Sequence, residues 1–200
     1  MASTSELPGF LYAFPVVEQQ VSHTPVINIL KDLTIPFSLN FLGSDSQLFV
    51  TNPHNGSPGA AILDISHAFK PTKVEIVTIP NQGASCWVAN APAYETLFIM
   101  DAAKPTITTF DSREDRVESQ FEFTTPALGA MDAKADRHFL YALTDPFAGD
   151  FSLAASPQIL VYDFSSVREG RNPKQIQTFD IFNAVGRIPD LMGLAIYPAN

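Results

Sequence analysis

Three stretches of this chain pass through the same sequence of features, and that repetition limits the folds available to it. They are FSLNFLGSDSQLFVTNPHNGSPGAAILDIS (Phe37–Ser66), ASCWVANAPAYETLFIMDAAKPTITTFDS (Ala84–Ser112) and LGAMDAKADRHFLYALTDPFAGDFSLAASPQILVYDFS (Leu128–Ser165). Each opens on small and apolar residues and continues through a polar turn (GSDSQ, APAYET, KADRH) into an apolar strand (LFVT, LFIM, FLYAL). A loop follows, then a strand ending in Asp. Phe49, Phe98 and Leu140 mark the strand centres, 49 and 42 residues apart; Asp64, Asp111 and Asp163 lie 47 and 52 apart. After each unit comes an alternating segment, KVEIVTIP, RVESQFEFTTP or KQIQTFDIF. Period-two alternation with β-branched and aromatic residues marks strands.

Four strands per roughly 40 to 50 residues is the period of a β-propeller blade. Helical repeats of that length need long stretches of 3.6-residue periodicity, which are absent, and the prolines fall in turns or at strand edges. The expected fold is all-β, a single propeller-type domain over residues 1–200 with about 3.75 four-stranded antiparallel blades. The expected units are a partial blade at 10–30, blades at 35–80, 81–126 and 127–183, and the first strand of a further blade at 190–200. The partial blade, FLYAFPVV with EQQVSHTPVINI, reads as the third and fourth strands of a unit.

The stretches NQGASCWVANAPAYETLFIMD, PALGAMDAKADRHFLYALTD and SPQILVYDF resemble the blades of lactonase-type seven-bladed propellers, in particular the fungal 3-carboxymuconate cyclase-like members. The resemblance covers roughly Phe10 to Tyr197 and implies lactone-forming or lactone-opening chemistry on a small carboxylated molecule, with no cofactor. It also implies that GLAIYPAN is a family C-terminus, and that about three blades are missing before Phe10 unless two arcs assemble into a homodimer through their exposed blade edges. The His, Arg and Glu set of active members has no match here, so no catalytic residue carries over.

Composition removes other classes. The net charge of −9 comes without a basic cluster, which argues against nucleic acid. No apolar run is long enough to span a bilayer, and no membrane partner is expected. MASTSELPGF lacks the basic and apolar regions of a signal peptide, so the default compartment is cytoplasmic, or secreted if the native N-terminus is missing. A single Cys forbids an internal disulfide and a Cys-based zinc site, and the four His are too scattered for metal-ligand spacing, so no metal is expected.

In a propeller the loops leading into the inner strands share one face with those joining the second and third strands. Strand order therefore gathers Asn81, Gln82, Ser85 and Cys86 with His54, Asn55, Asp101, Lys104, Asp145 and Asp150 near one rim. Arg187 and Asp190 approach the last inner strand. Candidate catalytic groups are His54, Asp101, Asp145 and Cys86; candidate substrate-binding groups are Asn81, Gln82, Asn55, Lys104 and Arg187. Cys86 reads either as a nucleophile activated by His54 or as a small buried residue of an inner strand, the commoner fate of a free Cys. Asp101 and Asp145 end equivalent strands and read either as an acid/base pair or as turn residues capping loop backbone. Asp132 and Asp136 are assigned to a turn, and Trp87 to packing between blades. The alternative to an enzyme is a non-catalytic scaffold or binding module, with Phe147, Phe151 and Leu153 of the long loop as contacts.

Overall fold

A computed structural model describes residues 7–42, 46–53, 59–65, 70–71, 73–79, 81–112, 118–126, 129–145, 156–169, 171–186 and 191–197. Its strands are β1 (Gly9–Ala13), β2 (Val16–Val17), β3 (Gln20–Val21), β4 (Val26–Leu30), β5 (Leu39–Phe41), β6 (Gln47–Thr51), β7 (Ala60–Asp64) and β8 (Lys73–Val77). Then come β9 (Ser85–Ala91), β10 (Thr96–Asp101), β11 (Thr106–Asp111), β12 (Glu118–Thr124), β13 (Ala130–Asp136), β14 (Phe139–Thr144), β15 (Gln158–Asp163) and β16 (Lys174–Asp180). They form three four-stranded antiparallel sheets in simple up-and-down order, β5–β8, β9–β12 and β13–β16. A two-stranded sheet, β1 with β4, precedes them and carries the hairpin β2–β3 at its tip. This is the expected all-β propeller-type fold, present as an arc.

The second strand of the β9–β12 blade is its most apolar because both of its faces are covered. In β10 every residue is buried. Leu97 and Ile99 point to one side and pack with Phe49, Ile62 and Val77 of the preceding blade. Phe98 and Met100 point to the other and pack with Leu140, Ala142, Leu160, Tyr162 and Phe164 of the next. A third cluster joins Leu11, Leu30 and Leu33 to Leu48, Val50, Ala61 and Leu63, and so fastens the half-blade to its neighbour. Continuous apolar runs such as LFIM thus reflect burial on two faces, as in any strand sandwiched between layers.

Polar bonds between blades add register. Thr51 Oγ1 donates to the Cys86 carbonyl (2.5 Å) and Asn90 Nδ2 to that of Phe41 (2.8 Å). On the next junction Arg168 donates to the Ala93 carbonyl (2.8 Å), pairs with Glu95 (3.2 Å) and lies over the Tyr94 ring. The turns between first and second strands place Glu95 (φ 51°) and Arg137 (φ 52°) in the left-handed region.

One strand boundary needs correction. The last strand of the 127–183 blade stops at Asp180, where a short helix α1 (Ile181–Val185) begins. The Asp180 carboxylate accepts from the Asn183 N–H (3.0 Å) and the Ser156 hydroxyl (2.6 Å), so a side-chain cap ends the strand. Residues 191–197 lie within the stretch expected to open a further blade at 190–200 and pair with no strand among the described residues. Two side-chain carboxylates hold them: Asp145 accepts from Leu191 N–H (2.9 Å) and Asp132 from Leu194 N–H (2.7 Å). Among the described residues no helix is long and apolar enough to cross a membrane.

If packing between blades carries the stability, Phe98 (0% exposed) and Phe10 (47% exposed) should respond very differently to truncation. Phe98→Ala is expected to cost about 3–5 kcal/mol, and Phe10→Ala within about 0.5 kcal/mol of nothing, in denaturant titrations. Similar costs for the two would overturn this account.

Candidate functional site

Of the residues that strand order gathers near one rim, Asn81 and Lys104 lie close to Asp101. This residue ends β10, where the register against β9 shifts between Met100 and Asp101. Its side chain is directed into the stretch that leads into β9. Oδ2 accepts from Gly83 N–H (2.5 Å), and Oδ1 accepts from Ala84 N–H (2.8 Å) and Ala103 N–H (2.9 Å). Gly83 makes this possible because a Cβ there would lie 3.1 Å from Ala103 Cβ and 3.3 Å from the carboxylate. Asn81, exposed and left-handed at φ 54°, turns its carbonyl towards Lys104, whose ammonium donates to it. Asn81, Gly83, Asp101 and Lys104 therefore form one knot, with Gln82 within the same stretch.

Gly129 brings the next blade to this knot. It is left-handed (φ 72°), and a Cβ on it would lie 2.4 Å from the Asp145 carbonyl and 3.4 Å from that of Ala102. The ends of β10 and β14 thus share one rim. His54, Asn55, Asp150 and Arg187 lie outside the described residues, as do Phe147, Phe151 and Leu153.

The two aspartates do similar work, and the preceding blade shows what it is. At the equivalent position after β6, Asn52 Oδ1 accepts from Ile35 N–H (2.9 Å). Asn52 and Asp101 each use a side-chain oxygen to hold the backbone leading into an inner strand, and Asp145 uses one to hold the Leu191 N–H of the 191–197 segment. A carboxylate with both oxygens bonded to main-chain N–H, as in Asp101, is a loop anchor, not a proton shuttle. The signal was in the sequence: VTN, IMD and LTD recur in register, and Asn in one of them removes acid/base chemistry from the pattern.

Cys86 lies on β9 among Ala102 and Met131, with Ala84 and Trp87 against them. Burial pushes its thiol up to about 11, and the Asp101 charge adds to the shift. The thiolate is the nucleophile, so at neutral pH this residue stays protonated and behaves as a packing group. Trp87 meets Phe37 edge-on at 5.0 Å. Asp132, assigned from sequence to a turn, is a buried β13 residue that also accepts from Ala133 N–H (2.7 Å). The register shift between Ala130 and Asp132 redirects it, and no periodicity in the sequence announces such a bulge. Among the described residues no three His, Cys, Asp or Glu converge as a metal site.

No family model matches the chain, and neither does any curated protein. Solved structures do. A periplasmic gluconolactonase of Pseudomonas aeruginosa is similar with a TM-score of 0.58 at 18% identity, over 84% of this chain and 48% of that one. A chain of a nidogen/laminin complex gives 0.55 at 15% identity, over 88% and 67%. A β-propeller domain from Myceliophteria thermophila gives 0.52 at 11% identity, over 78% and 49%. The chain thus spans about half the length of the gluconolactonase and of that propeller domain.

Two measurements check the site. The folded thiol should react far more slowly with a thiol reagent near pH 8 than the denatured one; equal rates would contradict a buried, protonated Cys86. With a folded-state value of about 11 against an ordinary 9.0, the unfolded chain releases the proton first, so this group withdraws stability as pH rises from about 9 to 11. Asp101→Asn replaces an acceptor by a donor facing main-chain N–H groups and is expected to cost about 1–3 kcal/mol in denaturant titrations. An unchanged midpoint would remove the anchoring role. The similarity at these identities establishes one thing, that this chain has the fold of a β-propeller arc.

Proposed function

We propose that the chain belongs to a lactonase-like propeller and that its rim binds a small carboxylated or lactone molecule at Lys104. The observation that carries this reading is the Lys104 ammonium, held in place by the Asn81 carbonyl. An ammonium has three donors, so two remain to meet a carboxylate or polarise a lactone carbonyl. Likeness to a gluconolactonase supports the substrate class. In the lactonase form of the reaction, water adds across the ring acyl C–O bond to give a hydroxy acid. In the cyclase form a carboxylate oxygen of the substrate adds across a C=C bond of the same molecule, forming the ring C–O bond while the other alkene carbon takes a proton, with no water gained or lost.

A second reading, binding without turnover, is favoured by a specific observation. Asp101 uses both carboxylate oxygens on main-chain N–H groups, and Asp145 uses one. The described part of the rim therefore holds a cation, while the carboxylates that would move protons serve the backbone.

D-Glucono-δ-lactone and gluconate separate these readings. Lactone hydrolysis above the buffer rate, reduced at least about tenfold in Lys104→Ala, is the expected result for the first, a loss of about 1.4 kcal/mol or more of transition-state stabilisation. Calorimetric binding of gluconate that is lost in Lys104→Ala, with no turnover, supports the second. Neither turnover nor binding would sink both.

A further inference from the structure

Lys104 and Asn81 meet through a main-chain atom, which leaves the Asn81 side chain beside the ammonium and unused. The ammonium donates to the Asn81 carbonyl. A residue's carbonyl and its side-chain amide are joined by a few covalent bonds, so the amide lies within about 8 Å of that ammonium in any rotamer. Asn81 is exposed, and among the described residues its amide makes no hydrogen bond. Its φ of 54° is a left-handed conformation that glycine adopts at lower cost, yet a side chain is present.

The chain around this pair is braced on both sides. Asp101 accepts from the N–H groups of Gly83 and Ala84, just after Asn81, and from that of Ala103, next to Lys104. The Lys104 stem rests on Gly83, where a Cβ would lie 3.2 Å from Lys104 Cγ. Groups held in place beforehand lose little freedom on binding, which favours a defined pairing over a loose charge contact.

We propose that the Asn81 amide is the specificity-determining group of the Lys104 site, meeting a hydroxyl of the ligand whose carboxylate rests on the ammonium. The inference rests on the reading of Lys104 as the binding group. An ammonium only donates, so it meets a carboxylate with or without hydroxyls nearby. A carboxamide both donates and accepts, as a hydroxyl does, so the two pair in either sense, whereas an alkyl chain leaves the amide without a partner. Together the two groups select a hydroxy acid over a simple carboxylate.

Calorimetry with gluconate and with hexanoate, a carboxylate of equal chain length without hydroxyls, tests this. The intact chain should bind gluconate more tightly than hexanoate, by about tenfold or more. Asn81→Gly keeps the carbonyl that receives Lys104 and accepts the left-handed φ, so the chain should stay folded, as circular dichroism would verify, while that ratio falls towards one. Asn81→Asp, of the same size, repeats the test should Asn81→Gly unfold. Its carboxylate accepts but does not donate and repels an anion, so gluconate binding should be lost, and retained binding overturns the proposal. Equal affinity for the two acids in the intact chain, or a ratio that survives in Asn81→Gly, overturns the role of Asn81 and leaves Lys104 as a plain anion site. Failure of both acids to bind removes the Lys104 reading as well.

Discussion

Burial of the second strands on both faces is the constraint from which the rest of this structure follows. Leu97 and Ile99 on one side of β10, and Phe98 and Met100 on the other, are each desolvated by a different neighbour. Burying an aromatic or aliphatic side chain contributes about 1.5–3 kcal/mol, so an isolated blade forfeits that contribution on both its faces. A blade is stable only in a stack, and the arc is the smallest arrangement in which its middle members have two neighbours. Phe98 and Tyr94 show the contact most directly: both rings meet Phe164 across the junction, at 5.0 and 5.1 Å.

Stacking also determines where chemistry can be located. With both faces of the middle sheets committed, free polar groups are left at the strand ends, and there the backbone has first claim on them. Asn52, Asp101 and Asp145 are held to that task, and the lead-in to β9 is tied down tightly enough that Gly83 has almost no room for a side chain. Lys104 differs because its partner, a carbonyl, takes only one of its three donors.

The architecture was legible because it repeats. LFVT, LFIM and FLYAL announce doubly covered strands, and the turns between them recur at a blade's spacing. The nearness of the ends of β10 and β14 was legible, since strand order brings them together and Gly129 sits between them. Roles were less legible, because an Asp that caps a loop and an Asp that moves a proton have the same letter. Their difference lies in which N–H groups the oxygens meet, a matter of backbone path. The same holds after the last blade, where Asp180 stops a strand by capping a helix.

Three of the bonds that stitch one blade to the next share a property with a consequence for divergence. Thr51, Asn90 and Arg168 all donate to main-chain carbonyls, those of Cys86, Phe41 and Ala93. A carbonyl is supplied by every residue type, so the accepting blade can exchange its side chain at these points and keep the bond. Each junction then asks for one suitable donor and tolerates drift on the facing side. Such stitching lets a stack of sheets hold its geometry while its amino acids wander, in keeping with a shared shape at 11–18% identity.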